Sequence, residues 1–337
     1  MIIQLSKNIN KTQLDALEVC LEQMEYSANH IKTQFQNYIV GVGKKEIDLR
    51  VIGGLDGISD IHRVSDAYKL VSKKWKIKET EIDLGGGIKI GNGNFAVMTG
   101  PCSIESEEQI RSTIGLMKEQ GVKVMRGGVY KPRSSPYSFR GLGLDGLKMW
   151  YRIASENGIK IITEVMMTEQ IDSMIDYVDI FQVGARNSQN FNLLDALGKV
   201  DKPVLLKRGI SGTIDELLQA AEYIFSNGNE RIMLCERGIR SYENAYRNTF
   251  DINAISMLKA KTHLPVIADP SHGIGVRKHV SDIALAAVMA GADGVIFESH
   301  TIPERAFSDG QQTLDFDEAS RLIDHLHQTV KFRDSLC

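Results

Sequence analysis

The apolar positions change character near residue 80. Before it they are sparse and periodic. Ile2 to Leu5 reads as a short strand, and Leu14, Leu17, Leu21 and Met24 recur at helical spacing to make one apolar stripe. Strands are expected around Ile31–Phe35 and Tyr38–Val42. A short helical stretch from Glu46 to Ile52 leads to the stop signal Gly53-Gly54, and a last strand covers about Ile58–Val64. The order β-α-β-β-α-β is that of a split-βαβ, ferredoxin-like unit over residues 1–70. A unit of ~70 residues is marginal alone and gains from docking on another surface.

From residue 95 the pattern becomes regular. Short apolar runs occupy Phe95–Met98, Val122–Met125, Ile159–Thr163, Val178–Val183, Pro203–Leu206, Arg231–Leu234, Pro265–Ala268 and Gly294–Phe297. Runs of this kind are what strands buried on both faces look like. Amphipathic helical stretches separate them. One is Thr213–Phe225, with Ile214, Leu217, Leu218, Ala221 and Ile224 on one face; another is Asp282–Met289, stopped by Gly291. Eight alternating units predict an α/β fold, a (β/α)8 TIM barrel over residues 95–337, ahead of a doubly wound sheet. Residues 71–94 then form a linker and a hairpin at the barrel bottom. The glycine cluster in 81–93 is read as a turn, because no helix follows it as a phosphate loop requires.

A barrel carries its chemistry at the C-terminal ends of its strands. Every run here delivers a charged or ligand-type residue to that rim. One group is cationic: Arg126, Lys131, Arg133, Arg186, Lys207, Arg208 and Arg237. Converging cations repel unless an anion lies between them, so strongly anionic substrates, with more than one phosphate, are expected. Arg208 is the member that pairing with a nearby acid would most readily explain. The second group is Cys102, His272, Glu298 and Asp309, from the first, seventh and eighth runs, which neighbour each other around a closed barrel. Their mixed soft and hard donors suit Mn, Fe, Co or Zn better than a site built for Mg alone. Cys235 and Cys20 read as packing residues.

Composition narrows the class. The 337 residues are 42% hydrophobic and 25% charged, enough for a core, which excludes general disorder. A net charge of −3 argues against nucleic-acid binding. Four dispersed cysteines make no disulfide framework, no apolar run reaches ~20 residues, and the N-terminus has no secretion-signal pattern. A cytoplasmic protein without membrane contact is expected.

Gly100-Pro101-Cys102-Ser103, Lys131-Pro132-Arg133-Ser134-Ser135, Gly184-Ala185-Arg186-Asn187, Cys235-Glu236-Arg237-Gly238, Asp269-Pro270-Ser271-His272 and Ser308-Asp309-Gly310 resemble, in order, the 3-deoxy-D-arabino-heptulosonate-7-phosphate (DAHP) synthases. The resemblance covers residues 80–330 and is nearest to the type Iβ branch, whose members carry an ACT-like, ferredoxin-like regulatory domain where this chain has residues 1–70. It implies condensation of phosphoenolpyruvate with erythrose 4-phosphate, the first step of the shikimate pathway. Arg126, Lys131, Ala185, Arg186, Lys207 and Arg237 would hold phosphoenolpyruvate. Pro132, Arg133, Ser134 and Asp269 complete the implied substrate contacts, with Arg133 and Ser134 on the aldose phosphate. Cys102, His272, Glu298 and Asp309 would hold a divalent metal, Mn first, with Fe, Co or Zn as alternatives. Lys131 and Glu164 are the candidate proton donor and water-orienting group. Inhibition by Tyr or Phe and a homotetramer are further expectations.

Two departures stand out. Ser134 replaces the usual Thr, and Glu298-Ser299-His300-Thr301-Ile302-Pro303 differs from the family's usual sequence after the ligand glutamate. The alternatives are a 3-deoxy-D-manno-octulosonate-8-phosphate synthase using arabinose 5-phosphate, whose Lys-Ala-Asn loop differs from Lys131-Pro132-Arg133-Ser134, and a metabolite sensor without catalysis.

Overall fold

The computed structural model describes residues 1–131, 137 and 139–336. The chain opens with β1 (Ile2–Leu5), α1 (Lys11–Gln23), β2 (Ser27–Lys32), β3 (Asn37–Val42), α2 (Leu49–Gly53) and β4 (Ile58–His62). The strands form one antiparallel sheet in the order β2-β3-β1-β4. Alternation divides its two faces. Ile3, Leu5 and Ile39 meet Leu17 and Leu21 of α1 and Ile52 of α2. Ile2, Ile31, Tyr38 and Val40 face the other way and belong to the main core.

Two elements of this unit differ from the sequence reading. The second strand is Ser27–Lys32 rather than Ile31–Phe35. It is an edge strand with a largely exposed, polar sequence, so it carries no apolar run to read. Thr33 closes the turn to β3 by donating its N–H to the Gln36 carbonyl. The second helix is shorter than Glu46–Ile52, because Asp48 caps it by accepting from Arg50 N at 3.0 Å.

Residues 82–90 make the two-stranded hairpin β5 (Ile82–Asp83) and β6 (Lys89–Ile90). The barrel follows as β7 (Ala96–Gly100), α3 (Glu107–Glu119), β8 (Val124–Arg126), α4 (Gly143–Glu156), β9 (Lys160–Glu164), α5 (Thr168–Met174), β10 (Ile180–Val183) and α6 (Phe191–Gly198). Its second half is β11 (Val204–Lys207), α7 (Ile214–Ser226), β12 (Ile232–Glu236), α8 (Ile252–Lys261), β13 (Val266–Ala268), α9 (Pro270–Ile274), α10 (Val280–Met289), β14 (Gly294–Glu298) and α11 (Phe316–Asp334). All eight strands pair in parallel, and β14 closes on β7 from Gly294↔Ala96 to Glu298↔Gly100. Each expected apolar run thus overlaps a strand, most of which run one or two residues past it to the rim.

The barrel interior is a compact apolar plug. Met98, Val124, Ile162, Ile180, Leu205, Met233, Ile267 and Ile296 point inward, and Ile82, Leu84 and Ile90 of the hairpin pack among them from below. Strand side chains alternate, so the next inward positions along each strand form the layer above this plug. Those positions include Arg126, Glu164, Gln182, Lys207 and Glu298.

The N-terminal unit docks at the opposite end. Gln34 Nε2 donates to Asn229 Oδ1 at 3.1 Å, just before β12. The Glu222 carboxylate of α7 accepts from the N–H groups of Leu70 and Val71 at 2.9 and 3.1 Å. Tyr38, Trp75, Phe225 and His263 form an edge-to-face aromatic cluster. His263 is fully buried, with Nδ1 2.7 Å from Thr80 Oγ1 and Nε2 2.8 Å from the Leu70 carbonyl.

Burial holds the His263 imidazole down at about 3, against an ordinary 6.5. A depressed value contributes its full stability above the unfolded pKa, and that contribution drains away as pH falls towards the folded one. Stability should therefore fall between about pH 6.5 and 3, and His263→Gln should flatten that part of the Tm curve in calorimetry. An unaltered slope would exclude His263 from the acid response.

Candidate active site

Arg126, Glu164, Gln182 and Lys207 of the layer above the plug line a cavity of about 250 Å³ at the C-terminal mouth of the barrel. Arg126, Lys131, Glu164, Ala185, Arg186, Lys207, Arg237, His272 and Asp309 all reach its wall. Of the substrate positions expected from the sequence, Pro132, Arg133 and Ser134 lie outside the described residues.

A chain of buried charges crosses the mouth. Arg126 donates through Nη1 to Glu298 Oε1 at 2.9 Å. His272 Nε2 stands 3.6 Å from the same oxygen, and His272 Nδ1 lies 2.8 Å from Asp269 Oδ2. Lys207 closes the chain with an ion pair to Asp269. Arg126, Glu298, Lys207 and Asp269 are all buried. Asp269 titrates well below the usual carboxylate range. Burial opposes that shift, and His272 and Lys207 outweigh it.

Cys102, Glu298 and Asp309 each bring one ligand atom to within 4.8 Å of the others. The Cys102 thiol donates to Asp309 Oδ2 at 3.2 Å and accepts from Lys131 Nζ at 2.9 Å. Burial, reinforced by Glu298, pushes that thiol up to about 12, against the pull of Lys131. Gln312 Nε2 donates to the second oxygen of Glu298 at 2.9 Å. Asp309 has φ of 52°, a left-handed conformation that a non-glycine residue seldom adopts, so the loop imposes its placement. His272 lies beside this trio through Glu298 and outside the mutual 4.8 Å group.

These side chains can host a cation. Two carboxylates, one buried and one half-buried, converge with a buried thiol, and Asp269 fixes the His272 ring through Nδ1, leaving Nε2 towards Glu298. The soft and hard donors together favour a transition-type divalent ion.

Glu164 occupies the far wall, where Gln182 Nε2 approaches its Oε2 at 3.5 Å. Its carboxylate lies over Gly184, and a Cβ there would come within 2.1 Å of Glu164 Oε1. Glycine at 184 is what lets the carboxylate reach the cavity. Arg208 does not line it. Its guanidinium donates to Glu236 Oε2 at 2.8 Å and Asp251 Oδ2 at 2.9 Å, so it roots the loop after β12.

Arg240, Arg247, Gln182 and Asn248 also line the cavity and were not singled out in the sequence. Arg240 and Arg247 sit within the long β12–α8 connection, beyond the rim positions that directly follow a strand. The length of that connection was the available signal, because long loops at this face carry function. Gln182 was hidden inside an apolar run.

The family model for the DAHP synthetase I family matches residues 74–333. The phospho-2-dehydro-3-deoxyheptonate aldolase of Thermotoga maritima is 48% identical over 272 residues, which cover 81% of this chain and 80% of that protein. The 2-dehydro-3-deoxyphosphooctonate aldolase of Acidithiobacillus ferrooxidans is 30% identical over 262 residues, 71% of this chain and 92% of that one. The crystal structure of the Thermotoga maritima DAHP synthase superposes with a TM-score of 0.78 at 41% identity, covering 99% of this chain and 97% of that one. The family match runs through every barrel strand, and the chain belongs to the DAHP synthetase I family.

Proposed function

We propose that this chain condenses phosphoenolpyruvate with erythrose 4-phosphate and water to give DAHP and inorganic phosphate, as the first step of the shikimate pathway. The observation that carries the reading is the pairing, at one barrel mouth, of a cationic cavity with the Cys102–Glu298–Asp309 corner, in which Cys102 and Glu298 are buried and Asp309 half-buried, in a member of this family. Phosphoenolpyruvate brings a phosphate and a carboxylate, and the aldose brings a second phosphate. Cations gathered around one cavity by a rigid barrel suit such substrates.

In this reading Arg186 and Arg237 receive the phosphate of phosphoenolpyruvate, with Ala185 beside them. Arg126, Lys131 and Lys207 balance its carboxylate, and Asp269 keeps Lys207 in place. Arg133 and Ser134 take the aldose phosphate, and Pro132 is a further substrate contact in the same loop. Cys102, His272, Glu298 and Asp309 would hold a divalent cation, Mn before Fe, Co or Zn, which when bound polarises the aldehyde as a Lewis acid. The enol carbon attacks the aldehyde carbon, and Lys131 supplies the proton that the aldehyde oxygen takes up. Carbon 2 of phosphoenolpyruvate then bears cationic character. Glu164, on the opposite wall, orients the water that adds there and accepts its proton. Cleavage of the C–O bond at that carbon releases phosphate. Enclosure by buried cations limits bulk water around the cationic centre.

The finer features belong to the same proposal. The βαββαβ unit is read as a regulatory domain for Tyr or Phe, the assembly as a homotetramer and the location as cytoplasmic. No described helix is long and apolar enough to cross a membrane.

Phosphate release should occur with erythrose 4-phosphate, stop on chelation and return with Mn. Turnover with arabinose 5-phosphate alone, or none with either aldose after Mn is restored, would refute the assignment. Cys102→Ser should weaken Mn binding by more than the about 10–100-fold typical of losing a group that only orients a ligand. Its Tm should barely move, and wild-type Mn affinity would remove Cys102 from the ligand set. Deleting residues 1–62 should abolish inhibition by Tyr or Phe. The cut stops there to keep Val64, Leu70 and Trp75 on the barrel core; because it also removes Ile2, Ile31, Tyr38 and Val40 from that core, the comparison is made on truncated protein that retains turnover. Inhibition that survives the deletion would move the effector site elsewhere.

A further inference from the structure

The loop between β12 and α8 is fixed at its base and along one side. Arg208 clamps its two ends by pairing with Glu236 and Asp251, and Ile239 bridges Thr249. Asn248 Nδ2 donates to the His272 carbonyl at 2.8 Å, and Arg247 N donates to the Ile274 carbonyl at 3.1 Å. Gly275, at φ of 65°, permits this approach, because a Cβ there would lie 2.3 Å from the Arg247 Cβ. The Arg247 backbone is therefore held at the cavity rim.

Its side chain is held far less firmly. The side chain is 38% exposed, and its ion pair is Nη1 to Asp309 Oδ1 at 3.3 Å. That is a long contact for a charge-assisted hydrogen bond. The same cavity is lined by buried Arg237, whose hydrogen bond is to the Gly238 carbonyl. The two guanidiniums repel, and Arg247 contributes to the lowering of the Arg237 pKa, after the larger effect of burial. Arg247 thus stands between a carboxylate of the cation corner and a cation of the phosphate wall.

We propose that Arg247 couples the two halves of the site: it pairs with Asp309 when the cavity is empty and turns to the phosphate bound at Arg237, freeing Asp309 for the cation. The proposal rests on the reading of Asp309 as a cation ligand and of Arg237 as a phosphate contact. An anion at Arg237 changes the sign of the field that Arg247 feels from that wall. Asp309 then loses a competing positive charge when it is needed as a ligand. By linkage, a cation on Asp309 favours Arg247 on the anion, so each ligand tightens the other through this side chain. Direct attraction between the two ligands adds to the effect and does not need Arg247.

Calorimetric titration with Mn, in the absence and presence of phosphoenolpyruvate, separates these contributions. Arg247→Gln keeps a polar side chain of moderate length on an exposed loop, which the fold tolerates. Without phosphoenolpyruvate the variant should bind Mn about two- to fivefold more tightly than wild type, the range expected for a partly exposed ion pair. The gain in Mn affinity on adding phosphoenolpyruvate should shrink by a similar factor. Unchanged or weaker Mn binding in the variant, or an undiminished gain, would overturn the proposal. A wild-type protein that binds no Mn would instead strike at the cation site itself, and the coupling would fall with it.

Discussion

The site depends on one arrangement: five ionisable groups in a row, Arg126, Glu298, His272, Asp269 and Lys207, across the mouth of the barrel. Taking such groups out of water costs several kcal/mol each, of order, and attraction between neighbours roughly offsets it. The chain contributes little net stability. What it provides is fixed charge, set in place before any substrate arrives. Each member holds the next in one orientation. Asp269 decides which nitrogen of His272 faces Glu298, and Glu298 is shared between Arg126, His272 and Gln312. Removing Glu298 or Asp269 would leave Arg126 or Lys207 as a buried cation without its ion-pair partner.

Closure of the barrel makes the row possible. Strand side chains alternate with a period of two, so one register decides which residues point inward. Val124 and Arg126 share a face, as do Ile162 and Glu164, Leu205 and Lys207, and Ile296 and Glu298. The first of each pair belongs to the dry plug and the second to the charged layer above it. A slip by one residue would exchange them with the outward positions and dissolve both layers.

Much of this was legible because the constraint is periodic. Eight apolar runs located eight strands, and the polar residue ending each run located most of the cavity wall. Arg208 is the cation that pairing most readily explains from the sequence, and it is held by Glu236 and Asp251. Other residues were hidden for identifiable reasons. Gln182 occupies an inward position inside an otherwise apolar strand, where composition gave no sign of it. Arg240 and Arg247 belong to a connection whose path is set by Arg208, Asn248 and Gly275, contacts between residues far apart in the chain. The edge strand β2 carries a polar sequence, because half of it faces water and one side lacks a neighbour.

The two ends of the barrel resolve opposite demands with the same eight strands. At the lower end the hairpin inserts Ile82, Leu84 and Ile90, and buried His263 stays neutral between Thr80 and Leu70. Its depressed pKa shows that protonation is disfavoured there. At the upper end Lys207, Asp269, Glu298 and Arg126 are almost as deeply buried, yet charges are kept and paired. Partners make the difference: His263 meets a hydroxyl and a carbonyl, whereas Lys207 meets Asp269 and Arg126 meets Glu298; burial holds His272 below the ordinary imidazole value even beside its two carboxylates. A charged layer this deep contributes little net stability, so the apolar plug and the docked N-terminal sheet supply the burial that a charged mouth cannot. The strands are three to five residues long, so stability and chemistry lie within one strand length of each other.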